Sequence, residues 1–113
     1  MKHTDEPMSS DQEREASPTR KGDLAEYYAV TWLWDNGYEV FKNAGGSGSV
    51  DMIAVDKKGE ITLIDVKTAV RDKRRPGPGT SRNGRTAKQV ALGVKILLFI
   101  PGTRKLRFVE HKE

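Results

Sequence analysis

Apolar residues first recur at helical spacing. Ala25, Tyr28, Ala29, Trp32 and Leu33 stand at i, i+3, i+4, i+7 and i+8, which predicts a helix with one apolar face. Asp23 is expected in its first turn, where a negative charge favours the helix N-terminus. Asn36-Gly37 is the stop, with Gly37 free to take a left-handed cap. The pattern then changes to strand period. Tyr38 to Phe41 predicts one strand, Gly45-Gly46-Ser47-Gly48 breaks it, and Val50 to Val55 predicts a second. Lys57-Lys58-Gly59 predicts a tight hairpin turn into a third strand from Glu60 to Thr68. Arg71 to Gly84 has no period and centres on Pro76-Gly77-Pro78-Gly79. It reads as a loop, and one this long in a small domain is usually functional or disordered. Arg85 to Gly93 predicts a short helix with Ala87, Val90 and Ala91 on one side. Lys95 to Ile100 is a nearly continuous apolar strand, expected inside a sheet. Pro101-Gly102 turns the chain into a last strand, Leu106 to Val109. Helix, three strands, helix and one or two strands make an α/β chain. Residues 1–20 lack periodicity and are rich in Ser, Pro, Asp and Glu, so they read as a disordered tail before one domain over 21–113.

Composition narrows the chemistry. At 113 residues there is room for one domain. With 35% hydrophobic and 32% charged residues, the core is small and the surface highly charged. The absence of cysteine excludes a disulfide scaffold, a thiolate metal site and a cysteine nucleophile. The two histidines, His3 and His111, lie at the chain ends, which argues against a histidine triad or zinc site. Any catalysis therefore falls to carboxylates and lysines. The longest apolar run, Ile96 to Ile100, is of strand length, so no membrane span is expected. The polar, acidic start is unlike a signal peptide, and a cytoplasmic location is expected.

The charge is unevenly spread. Residues 1–20 hold three basic and five acidic side chains, a net of −2, whereas the whole chain is +4. Residues 71–88 hold Arg71, Lys73, Arg74, Arg75, Arg82, Arg85 and Lys88 against Asp72 alone, a net of +6. So dense a block suits a polyanion such as nucleic acid, or else forms a solvated loop that aids solubility. Tyr27-Tyr28 and Trp32-x-Trp34 carry faces that can stack on bases. On an amphipathic helix such residues more often serve as core or interface.

Strand alternation sorts the candidate chemistry. Ile61, Leu63, Asp65 and Lys67 share one face of the third strand, and Asp51, Ile53 and Val55 share a face of the second. The hairpin makes the two strands antiparallel, so the start of one lies beside the end of the other. Asp51 and Asp65 can then meet, with Lys67 next to them. Two carboxylates brought together repel, so one must protonate or a cation must bind. Mg²⁺ suits such a pair, since it accepts one or two carboxylates and keeps several waters. Read alone, Asp65-x-Lys67 is an ion pair at a sheet edge. Glu26, one position from the helix's apolar stripe, could reach the site from the edge of the core or stay exposed.

Gly22-x-x-Ala25-Glu26, Ser49-Val50-Asp51-x-Ile53-Ala54 and Ile64-Asp65-Val66-Lys67-Thr68 together resemble the PD-(D/E)XK nuclease superfamily. The archaeal-type Holliday junction resolvases are the closer likeness, with small phage and intron-encoded members as other near relatives. The resemblance spans roughly residues 20–100. It implies a restriction-endonuclease-like αβββαβ core with a central mixed sheet flanked by helices. It also implies an Mg²⁺-dependent endodeoxyribonuclease, with Mn²⁺ as a substitute. Asp51, Asp65 and Glu26 would be the metal carboxylates, and the backbone carbonyl of Val66 a further ligand. Lys67 would orient or activate the attacking water. Ser47 or Ser49 would lie near the scissile phosphate, in a stretch similar to the resolvases' glycine/serine loop. Gln89 fits the polar residue that the superfamily often places on the second helix. Where the family has a proline before the first aspartate, this chain has Val50. Arg71, Lys73, Arg74, Arg75, Arg82, Arg85 and Lys88 would contact phosphates flanking the cut. A homodimer would supply the second active site that symmetric cutting needs, with Trp32, Trp34, Phe99 and Phe108 as interface candidates. A non-catalytic DNA-binding module and an RNA-processing nuclease on the same core are the alternatives.

Overall fold

The computed structural model describes residues 18–46, 48–70 and 84–110. Its elements are α1 (Pro18–Asp35), β1 (Glu39–Lys42), β2 (Met52–Val55), β3 (Ile61–Thr68), α2 (Ala87–Leu92), β4 (Lys95–Ile100) and β5 (Lys105–Phe108). The strands form one mixed sheet in the order β1-β2-β3-β4-β5. β3 and β4 are parallel and the other pairs antiparallel. This is an α/β fold containing the expected αβββαβ order, with β5 added at the edge beside β4.

Helix α1 covers one face of the sheet and packs on β1, β3 and β4. Its expected stripe is its buried stripe: Ala25, Ala29 and Leu33 are inaccessible, and Tyr28 and Trp32 flank them half-buried. Ala29, Val30 and Leu33 meet Met52, Ala54, Ile64 and Leu97 in the main core. Each large apolar side chain buried there contributes about 1.5–3 kcal/mol. Tyr28 stacks on Phe99 at 5.3 Å, and Trp32 meets Phe108 edge-on at 5.8 Å. Three of the four interface candidates, Trp32, Phe99 and Phe108, are therefore engaged in intrachain packing. Trp34 alone of the four is exposed.

The end of α1 is fixed locally. Tyr38 N–H donates to the Leu33 carbonyl and Gly37 N–H to the Trp34 carbonyl, both at 3.0 Å. This Schellman pair requires a left-handed residue between helix and strand, and Gly37 takes φ +86°. The start of α1 corrects two expectations. The helix begins at Pro18, whose locked φ is pre-organised for a first helical position, so residues 18–20 are helical rather than tail. Asp23 consequently lies beyond the first turn, which holds no acid. Residues 1–17 lie outside the described residues.

The β2–β3 hairpin turns as expected, with Asp56 as its organiser. Asp56 Oδ1 accepts from the N–H groups of Lys58 and Glu60 at 2.8 and 2.9 Å. Strand β4 is buried over Ile96, Leu97, Leu98 and Phe99, as befits a strand with neighbours on both edges.

Helix α2 departs from its predicted face. Ala87, Val90 and Ala91 are exposed, and its buried residue is Gln89. The reason is polar: α2 docks through the Gln89 side chain rather than through an apolar stripe. Among the described residues, no helix is long and apolar enough to cross a membrane.

Candidate active site

The end of the β2–β3 ladder brings the candidate acids together. The paired register stops at Met52 and Ile64. Beyond it, Asp51 N–H donates to the Ile64 carbonyl at 2.8 Å instead of continuing the register to Asp65. The β3 backbone past this point loses its strand partner. Asp51 Oδ2 replaces it, accepting from Val66 N–H at 2.7 Å. A residue's N–H and C=O point to the same strand edge, so the Val66 carbonyl faces the Asp51 side as well.

The Asp51 and Asp65 carboxyls lie close enough for each to act on the other. Lys67 Nζ lies 3.3 Å from Asp65 Oδ2, so the ion pair and the acid pair share one carboxylate. Asp65 is buried, at 7% exposure. Asp51 is pushed up from 3.8 to about 6. Desolvation is the largest cause, followed by the hydrogen bond to Asp65; the Val66 N–H opposes them, and the charges of Asp65 and Glu26 add smaller upward pushes.

Gln89 fixes the orientation of Asp65. Its Oε1 accepts from Thr86 N–H at 2.9 Å, and Thr86 Oγ1 accepts from Gln89 N–H at 3.2 Å, a capping box at the start of α2. With Oε1 committed, Nε2 must face the other way. There it donates to Asp65 Oδ2 at 3.1 Å and to the Ser49 carbonyl at 3.0 Å. Every polar atom of this buried amide is used, and one side chain ties α2, β3 and the loop before β2 together.

Asn43 organises that loop. Its Nδ2 donates to the Val50 carbonyl at 2.9 Å, and its Oδ1 accepts from Gly45 N–H at 2.9 Å. Asn43 N–H donates to the Asp51 carbonyl at 2.9 Å, which extends the β1–β2 pairing to the catalytic candidate. Sequence reasoning missed Asn43, although an Asn two residues before a glycine is an Asx-turn signal.

The expected residues separate into groups. Asp51, Asp65 and Lys67 converge, with Gln89 and the Ser49 backbone behind them. Glu26 is half-buried, and its charge is felt at Asp51. Among the described residues, no three His, Cys, Asp or Glu side chains lie close enough to hold a metal ion together. Two carboxylates and one inward carbonyl are what the geometry provides. Arg85 Nη1 donates to the Val94 carbonyl at 3.2 Å. Lys88 is exposed on α2. Ser47, Arg71, Lys73, Arg74, Arg75 and Arg82 lie outside the described residues.

The donor set fits a hard divalent cation. Two neighbouring carboxylates and the Val66 carbonyl are hard oxygen donors, and a divalent cation would relieve the repulsion between the two acids.

The chain matches no protein-family model and no curated protein. Its fold is similar to the solved structure of a bacterial homing endonuclease, I-Ssp6803I, with a TM-score of 0.58 at 18% identity. The similarity covers 83% of this chain and 65% of the neighbour's, so this chain spans less than two thirds of that protein's length.

Proposed function

We propose that this protein is a metal-dependent DNA endonuclease of the PD-(D/E)XK type that hydrolyses phosphodiester bonds and selects branched DNA in the manner of a Holliday junction resolvase. The observation that carries the reading is the acid pair. Asp51 and Asp65 interact at the end of a sheet, with Lys67 3.3 Å from Asp65. A fold maintained only for binding has no use for a carboxylate pair that raises one of its members to about 6. The likeness to an endonuclease fold supports the same class.

Asp51, Asp65 and the Val66 carbonyl would hold Mg²⁺, or Mn²⁺ in its place, with Glu26 acting at the longer range at which Asp51 feels its charge. Bound there, the ion supplies positive charge against a phosphate oxygen and a water of lowered pKa. The chain's own groups do the rest. Lys67 donates to the attacking water and offsets the negative charge that develops on phosphorus-bound oxygen. Water oxygen bonds to phosphorus and loses a proton to solvent, the phosphorus–oxygen bond to one nucleotide breaks, and the departing oxygen takes up a proton from solvent to leave as a hydroxyl. Gln89 keeps Asp65 from rotating out of position. The basic residues at 71–88 contact flanking phosphates, which position DNA without reading bases. A homodimer would cut two strands.

Replacing Asp65 with Ala is expected to abolish Mg²⁺-dependent cleavage while DNA binding persists; cleavage at the wild-type rate would remove the mechanism. A second reading is a duplex-cutting endonuclease like the small phage and intron-encoded members that the sequence also resembles. Cleavage of linear duplex, flap, single-stranded and four-way-junction DNA, with RNA alongside, separates the two and tests DNA as substrate.

A further inference from the structure

Tyr27 and Lys42 form a pair that the acid site does not use. Lys42 Nζ lies 4.7 Å from the centre of the Tyr27 ring. Tyr27 is 65% exposed, so most of the ring is open to solvent while its position is held by the ammonium. Both residues adjoin the site in sequence and in space. Tyr27 follows Glu26 on α1. Lys42 pairs with Met52, the neighbour of Asp51, and Asn43 beside it donates to the Asp51 carbonyl.

Two features of the pair point to a ligand. The first is the cation. Lys67 is engaged by Asp65, but the Lys42 ammonium rests on an uncharged ring. Among the described residues it makes no salt bridge that an incoming anion would have to break. The second is the ring. An exposed aromatic gains by stacking on a flat partner, and nucleobases stack on such rings whatever their identity. A base inside a continuous duplex has both faces covered by its neighbours. A base at a branch, flap or unpaired end has one face open.

We infer that Tyr27 and Lys42 form a nucleotide subsite flanking Asp51, in which the ring stacks on the open face of a DNA base at a branch, flap or end and the ammonium contacts its phosphate. The subsite selects DNA with an open base next to the cut over continuous duplex. Packing of Lys42 on the ring orients it before the ligand arrives, so less freedom is lost on binding. This inference rests on the endonuclease reading and specifies its substrate class.

The test is equilibrium binding of the full chain, without divalent metal, to a labelled duplex and to the same duplex carrying a single-stranded flap. Wild type, Tyr27→Leu, Tyr27→Phe and Lys42→Gln are compared. The expected result is a flap-to-duplex affinity ratio that falls about tenfold in Tyr27→Leu and is kept in Tyr27→Phe, a change within what one stacked base contributes. Lys42→Gln should lower the slope of log affinity against log salt by about 0.7 to 0.9, the loss of one phosphate contact. A 2-aminopurine at the first unpaired position should be quenched by wild type and not by Tyr27→Leu. An unchanged ratio in Tyr27→Leu, or an equal loss on both substrates, overturns the subsite. If cleavage still depends on Asp65 in that case, the endonuclease reading stands and only the subsite falls. A wild-type chain that cuts no DNA with Mg²⁺ and binds flap and duplex equally removes both.

Discussion

Asp51→Asn should make this protein more stable at neutral pH while it destroys the site. Asp51 is raised from 3.8 to about 6, chiefly by desolvation and by Asp65. A carboxyl whose folded pKa lies above its unfolded one binds its proton more tightly in the fold. Its contribution is fully present below about 4, and stability is lost as pH rises through about 6. At pH 7.5 the gap corresponds to about 3 kcal/mol of unfavourable ionisation. Asp51 is only half-buried, and solvent screening reduces this to about 1–2 kcal/mol. Asparagine has nearly the same shape and carries no charge. Its carbonyl can still accept from Val66 N–H, and its amide can donate to Asp65. The variant should therefore be about 1–2 kcal/mol more stable than wild type at pH 7.5 and equal to it near pH 4. Urea unfolding across pH 4–8 without divalent metal reads the difference directly. A gain that is the same at every pH, or a loss at pH 7.5, would refute the desolvation account of Asp51.

The other expectations concern the groups around the pair. Gln89→Leu leaves Thr86 N–H, the Ser49 carbonyl and Asp65 short of a partner, and should cost about 2–3 kcal/mol in chemical unfolding. An unchanged midpoint would mean that water replaces the amide. Calorimetric titration with Mg²⁺ should show affinity falling about tenfold for each pH step below about 6, as the proton on Asp51 competes with the ion. Flat affinity from pH 5 to 7 would place the ion elsewhere. Neutralising Arg74 and Arg75 together should reduce the salt slope of DNA binding by about two phosphate contacts; an unchanged slope means that this segment does not touch DNA.

The sequence by itself determined the elements and the juxtaposition of the two aspartates. Helical and strand periods are local signals, and a hairpin of known turn position dictates which residues face one another. Asp51 and Asp65 could therefore be expected to meet, with Lys67 beside them, and they do. The stop of α1 was equally legible, because a left-handed position after a helix requires a residue like Gly37. Only the tertiary structure decided what lies behind the acids. Ala87, Val90 and Ala91 share one side of α2 in the sequence, but the buried residue that anchors the helix is Gln89. That anchoring depends on the distance between α2, Asp65 and the Ser49 carbonyl, separated by 24 and 40 residues along the chain. The reach of Glu26 was likewise undetermined by its place beside the stripe; the packing of α1 lets its charge act on Asp51. The Tyr27–Lys42 pair joins a helix to a strand. Periodicity specifies which face a residue takes within its own element, and the packing of elements specifies what that face meets.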